Sequence, residues 1–374
     1  MFHRLLVACC SSVYKYVAKP VLFKMPPDTV HEKMLQFCRA FGSVRMFRWI
    51  TNVIFKRKSP LLKQEYHGVT FTSPVGIAAG FDKNGDTPSV ISNLGFGFMT
   101  VGSVTALVCD GNPRPWFQRL PKSKALAVRV GLANQGSFRI IKRLEQNKKR
   151  FNAFPITLSV AKTNNKETVS DKAAIKDYTT SIERTLHSTS IKMIEINISC
   201  PNTYGGEPFT DPPRLDQLLS AVDAITVPQP IFVKMPNDLP WQSFKQLLDI
   251  IVKHNIQGVT VTNLTKSRDN VKDILPFPIR GGLSGKLTWE NSNELIKKTY
   301  QTYGDRLTII GVGGVFTAED AYTKIRLGAS LVGLVTGMIY QGPQIAAEIN
   351  AQLPRLLEKD GLAHIQEAIG LDAQ

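Results

Sequence analysis

Asn197-Ile198-Ser199-Cys200-Pro201-Asn202-Thr203 places a thiol between two carboxamides on a few residues of chain. The apolar run Ile191 to Ile198 reads as a buried strand, and Pro201-Asn202 then turns the chain. The sulfur is thereby held on the loop leaving a strand. An Asn side chain both donates and accepts, so two of them can grip an imide or amide ring while the sulfur reaches one ring carbon. The same sulfur in a plainer setting is a small buried hydrophobe beside an ordinary turn.

A second segment, Ala79-Gly80-Phe81-Asp82-Lys83-Asn84-Gly85, also follows a short apolar strand, Val75 to Ala79. Further motifs follow in order: Gly95-Phe96-Gly97-Phe98 with Gly102-Ser103-Val104-Thr105, Asn112-Pro113-Arg114-Pro115, Val233-Lys234 and Val261-Thr262-Asn263. Gly281-Gly282-Leu283-Ser284-Gly285, Ile310-Gly311-Val312-Gly313-Gly314 and Gly328-Ala329-Ser330-Leu331-Val332 complete the series. Together they resemble the dihydroorotate dehydrogenase family, the flavin enzymes of pyrimidine synthesis. The resemblance covers residues 60 to 350 and extends more weakly beyond them.

That resemblance implies FMN as cofactor, dihydroorotate as substrate, and removal of one ring hydrogen as a proton and its neighbour as hydride. Cys200 aligns with the catalytic base, a role open to a thiol whose thiolate is modestly stabilised. Lys83 aligns with the lysine that touches both flavin and substrate, and Lys234 with the lysine beside the flavin pyrimidine edge. Asn197, Asn202 and Asn263 align with the amides that hold the substrate ring, and Arg129 and Gly131 with its other contacts. The implied flavin contacts are Ala79, Gly80, Lys83, Ser103, Ser159, Asn197, Lys234, Thr262, Gly285, Gly314, Val335 and Thr336. No metal is implied.

Departures from the family pattern cluster at the same place. The membrane-bound class uses Ser where this chain has Cys200, as the soluble classes do. Val128 stands where a substrate-binding Asn is expected, Leu264 replaces a hydroxyl residue, Ser159 replaces an Asn, and Val335 replaces a position often aromatic. Leu132 and Asn134 also match the soluble classes. Each hydrogen bond to a charged group is worth roughly 1.5–3 kcal/mol, so losing two weakens dihydroorotate binding about a hundredfold unless it is compensated. A related FMN oxidoreductase acting on another cyclic amide, such as a dihydropyrimidine, is the alternative reading.

Short apolar runs alternate with helical stretches from residue 75 onward: Val75–Ala79, Phe98–Gly102, Ile156–Val160, Met193–Ile198, Ile231–Lys234, Gly258–Val261, Leu307–Gly311 and Leu331–Val335. Eight strands, most followed by a helix, predict an α/β fold, a (β/α)8 TIM barrel, with the motifs at the C-terminal strand ends. A doubly wound sheet is the runner-up, weakened by the absence of G-x-G-x-x-G after the first strand. Gly311, Gly313, Gly314, Gly328 and Gly333 flank the last two strands, where backbone N–H groups can approach a phosphate. One such site suits a mononucleotide.

The chain of 374 residues carries a net charge of +16. Residues 1–63 hold twelve basic side chains against two acidic ones, which is +10 of that total. Asp28 or Thr29 is expected to cap a helix running to Ala40 and stopping at Gly42, with Val30, Met34, Phe37, Cys38 and Phe41 on one face. Ser43 is expected to open a second helix in which Val44, Phe47, Ile50 or Trp49, Ile54 and Phe55 are apolar. Two apolar faces with a basic rim suit an anionic membrane surface, or else pack on the main domain. The division expected is a membrane-associating helical arm, 1–60, and an FMN-binding barrel, 61–374. In the family, such an arm shapes a tunnel through which a membrane quinone reaches the flavin.

No apolar stretch in the sequence approaches the ~18 residues that span a bilayer. Nothing resembling a nucleic-acid-binding motif accompanies the charge, so no nucleic acid partner is expected. Five cysteines without a C-x-x-C pair argue against disulfides and structural zinc. The expectation is a peripheral membrane monomer on the cytoplasmic side of a bacterial membrane, or the mitochondrial inner membrane in a eukaryote.

Overall fold

The computed structural model describes residues 2–274 and 278–374, with side chains from Leu5 onward. Met1, the Arg4 charge counted above and residues 275–277 of the expected barrel domain lie outside that description. The eight apolar runs form parallel strands: β1 (Val75–Ile77), β2 (Phe98–Val104), β3 (Ile156–Val160), β4 (Ile191–Asn197), β5 (Ile231–Lys234), β6 (Gly258–Val261), β7 (Thr308–Val312) and β8 (Leu331–Leu334). They close into a barrel in chain order, with Val75 pairing Val332 and Gly76 pairing Gly333 where the last strand meets the first. Closure rules out the doubly wound sheet.

Strands covered on both faces must be apolar almost throughout. Every residue of β2, β3, β5, β6 and β8 is accordingly buried. The helices outside read with a 3.6-residue period; Trp241–Ile251 buries Phe244, Leu247, Leu248 and Ile251. At the strands' N-terminal end, Phe71 of a small hairpin packs with Phe98, Met193, Phe232, Ile310 and Leu331. That plug leaves the C-terminal end for chemistry. Over this open end lies a three-stranded antiparallel sheet of Phe117–Leu120, Ala125–Val128 and Gly282–Leu283.

The N-terminal region forms three helices: α1 (Leu5–Lys24), α2 (Pro27–Ser43) and α3 (Arg45–Phe55). Helix α1 corrects the expectation about length. It runs 20 residues at a mean hydropathy of 1.3, long and apolar enough by those measures to cross a membrane. Lys15 and Lys19 interrupt the run in sequence, and on the helix both are half-buried. The Lys19 ammonium lies 5.5 Å from the ring centroids of both Phe23 and Tyr340, its stem covering apolar surface. One face of α1 is nevertheless docked, with Val7 and Ser11 buried and Tyr14 Oη donating to the Ile339 carbonyl at 2.7 Å.

The capping expectation is also corrected. Pro26 precedes the first turn of α2, and no side chain caps it. Asp28 instead accepts from the backbone N–H groups of Trp116 and Phe117 at 2.9 and 3.1 Å, which fastens α2 to the sheet above the barrel. Arg39 pairs with Asp86 at 2.9 Å, and Asn52 donates to Asn93 at 2.9 Å. Met46, Trp49 and Val53 on the outer side of α3 stay exposed.

Candidate active site

A single cavity of about 990 Å³ runs from the C-terminal end of the barrel to the arm helices. Its floor is polar and set by strand ends. After β1, the fully buried Asp82 accepts from the N–H groups of Asn84, Gly85 and Thr87 at 2.7–3.0 Å, which holds the turn that carries Lys83. Lys83 Nζ donates to the Gly80 carbonyl at 2.7 Å. Burial pulls its ammonium down to about 8, against the opposing pull of Asp82, Cys200 and Asp28.

Asn197 ends β4, in register with Lys234 at the end of β5. Its Nδ2 donates to Ser103 Oγ at 2.8 Å, and Ser103 Oγ meets Ser159 Oγ at 2.8 Å. Asn263 Nδ2 donates to the Ser199 carbonyl at 2.8 Å, and Asn202 Nδ2 to the Val128 carbonyl at 2.9 Å. The carboxamides are thus braced by neighbouring loops rather than by solvent. Cys200 lies half-buried among them. Burial pushes its thiol up to about 11 and Glu207 adds to that, while the Asn202 backbone N–H, Lys234 and Lys162 pull it down.

The third wall carries the glycines. Gly314 adopts φ +73°, and a Cβ there would meet Trp289 Cβ at 2.8 Å, so the position needs glycine twice over. Gly285, Gly313, Gly333, Val335 and Thr336 line the cavity beside it. Among the described residues, no acceptor pairs with the backbone N–H groups of Gly314, Val335 and Thr336. Backbone donors without a protein acceptor are of the kind that can hold an oxyanion. Gly311 and Gly328 lie outside the cavity: a Cβ on Gly328 would sit 2.2 Å from Tyr300 Cβ, and one on Gly311 2.9 Å from Ile296. Their glycines admit helices packed on the barrel, a cause that a motif cannot distinguish from a ligand's approach.

Most expected site residues therefore line one space: Ala79, Gly80, Lys83, Ser103, Gly131, Asn197, Cys200, Asn202, Lys234, Thr262, Asn263, Gly285, Gly314, Val335 and Thr336. Two do not. Ser159 is fully buried behind Ser103, and Arg129 reaches the Pro113 carbonyl at 3.5 Å, away from the cavity. Val128 and Leu264 do face it.

The outer half is built by the apolar arm, joined by two side chains that sequence reasoning passed over, His31 and Arg119. Tyr14, Val21, Met34 and Ile50 line it, with His31 and Arg119 where it meets the floor. His31 lies 5.2 Å from the Phe117 ring and 5.9 Å from Phe81, centroid to centroid. Burial holds its imidazole down to about 3, and Lys83 and Arg114 add to that, so it stays neutral. Arg119 Nη1 donates to the Met25 carbonyl at 2.7 Å and its guanidinium covers the Phe23 ring. Arg119 sits in a plain strand-like run, and no spacing rule marks it.

A family model described as dihydroorotate dehydrogenase matches residues 61–357. The dihydroorotate dehydrogenase (quinone) of Haloarcula marismortui is 37% identical over 95% of this chain and 98% of its own. That of Burkholderia thailandensis is also 37% identical, over 90% and 96%. The ligand-free crystal structure of DHODH from Eimeria tenella superposes with a TM-score of 0.81 at 29% identity, covering 93% of this chain and 99% of that one. These relatives give no support to a different cyclic amide as substrate.

Proposed function

This chain belongs to the dihydroorotate dehydrogenase family, and from that premise we propose that it oxidises dihydroorotate to orotate with FMN and delivers the electrons to a membrane quinone. The observation that carries the reading is the continuity of one cavity from Cys200, Lys83 and the three carboxamides to the apolar arm. Two reactants that never meet need such a shared space, one end polar for the substrate and the other apolar for the quinone.

FMN fits the residues present. The unpaired N–H groups of Gly314, Val335 and Thr336 suit its phosphate, with Gly285 leaving room beside them. Ser103, Asn197, Lys234 and Thr262 suit its ring, with Ser159 supporting Ser103. FMN supplies an acceptor for hydride and a donor of electrons to quinone. Cys200 takes the ring proton, and Asn197, Asn202 and Asn263 fix the ring so that the reacting carbon faces the sulfur. Lys83 offsets the substrate carboxylate, and Lys234 stabilises negative charge at the cofactor's pyrimidine edge. Arg129, outside the cavity, reaches the Pro113 carbonyl rather than the substrate. The basic arm, +10 over residues 1–63, suits an anionic membrane surface, with the protein a monomer held on the cytoplasmic face.

The test is anaerobic addition of dihydroorotate to the FMN-loaded protein while the flavin band is followed. Rapid bleaching is expected. A band that persists with dihydroorotate yet bleaches with dithionite overturns the substrate assignment.

A further inference from the structure

Lys162 stands just past the end of β3 and is 4% exposed. Its ammonium donates at 2.8 Å to the carbonyl of Tyr204, in the loop that carries Cys200. Asn164, two residues on, completes a clamp: its Oδ1 accepts from the Tyr204 N–H, and its Nδ2 donates to the Gly131 carbonyl at 3.0 Å. The same loop is tied at Asn202, whose carbonyl accepts from Asn112 Nδ2 at 3.0 Å. The segment past β3, together with Asn112 and the Val128 carbonyl, therefore sets where the loop lies.

The charge on Lys162 needs its own account. A buried ammonium without an ion pair is costly. Among the described residues Lys162 has no carboxylate within ion-pairing distance. Asp177 nearby already accepts from the Ala106 N–H and from Thr163 Oγ1. The charged and titratable groups around Cys200 are few. Lys234 comes from β5, Lys83 from the loop after β1, and Tyr178 from the helix Asp171–Glu183, its hydroxyl donating to the Asn197 carbonyl. Glu207 comes from the loop itself and is ion-paired with Lys266 at 2.6 Å. Lys83 and Lys234 serve substrate and cofactor in the reading above. Lys162 is the cation left to the sulfur.

We propose that Lys162 is a positioning residue for Cys200, holding the base loop through Tyr204 while its buried positive charge favours the thiolate. The proposal rests on Cys200 being the base. It also gives a reason for the Cys200 loop to be fastened to β3 by an ammonium where a neutral donor would serve as well. Burial lowers the Lys162 ammonium, opposed by Asp177 and then by Cys200, and at the thiol Lys162 pulls in the same direction as Lys234.

The test is alkylation of Cys200 by iodoacetamide in the FMN-loaded protein, followed across pH by peptide mass so that the other four cysteines do not interfere. In Lys162→Met the pH midpoint should rise by about one unit, which is about tenfold slower alkylation below the midpoint. Lys162→Arg, which keeps charge and donor, should restore most of it. Equal midpoints in wild type and Lys162→Met overturn the proposal, because loss of a merely structural contact would change the rate at every pH alike. Should Lys162→Met not retain flavin, Lys162→Gln keeps a donor to Tyr204 without the charge, and an unmoved midpoint there is equally decisive. Alkylation needs no substrate, so a flavin that dihydroorotate fails to bleach and a midpoint that Lys162 fails to move are separate results.

Discussion

The two ends of the cavity are held by different physics. At the floor four polar side chains have named partners: Lys83 on Gly80, Asn197 on Ser103, Asn263 on Ser199, Asn202 on Val128. Directional bonds from rigid strand ends fix positions closely, which suits proton removal at one carbon. At the mouth, Met34, Phe37 and Ile50 are partly exposed, Phe37 stacks on Phe41 and meets Phe47 edge-on, and polar staples are few: Arg48 on the Gly42 carbonyl within the arm, Asp28 and Asn52 where it meets the barrel. Such a wall adapts to a long apolar guest but specifies it weakly. Precision is bought at the floor, and reach is gained at the mouth.

If that division holds, damage at each end should be felt by one half-reaction. The largest effect belongs to Cys200→Ala. Removing a general base costs roughly 10²–10⁴ in rate, so flavin reduction by dihydroorotate should fall by about that factor while FMN stays bound. Unchanged reduction in stopped flow would break the assignment of the floor. Next comes removal of residues 1–24, which takes Tyr14, Val21 and their neighbours from the outer wall. Quinone turnover should fall by at least about tenfold, the equivalent of ~1.4 kcal/mol of lost binding, while dihydroorotate reduces the flavin as before. Equal losses in both half-reactions would show that the arm supports the floor as well.

A third effect, on stability rather than on either half-reaction, is acid sensitivity where the mouth meets the floor. The folded-state imidazole of His31 is lowered to about 3, so between pH 6.5 and 3 the unfolded chain binds a proton that the folded chain does not. Stability is thus intact above pH 6.5 and falls as pH drops, by about 2 kcal/mol at pH 5. His31→Phe keeps a ring against Phe81 and Phe117 and should flatten that slope in denaturant melts at pH 7 and 5. A slope that survives the substitution assigns the acid sensitivity elsewhere.

The barrel was legible because strands buried on both faces leave apolar runs, and β3, β5 and β6 emerge with the limits read from sequence. The floor was legible because its residues crowd the ends of those runs. Helix α1 was not, since Lys15 and Lys19 split its apolar pattern, and only the helix shows one continuous 20-residue element across them. Gly328 and Gly311 were read as phosphate glycines, although the bodies they admit are Tyr300 and Ile296. Lys162 and Arg119 escaped because what matters about them is a backbone carbonyl far away in sequence, Tyr204 and Met25, which no motif records.

The pairing of Val75 with Val332 has a further consequence, for synthesis. The arm leaves the ribosome before the barrel, and the barrel it docks on is incomplete until β8 is made, roughly 270 residues later. At 5–20 residues per second the apolar helices wait about 15–55 s without their partner. A lipid surface or a chaperone that shelters them in that interval decides how much of the chain ever closes.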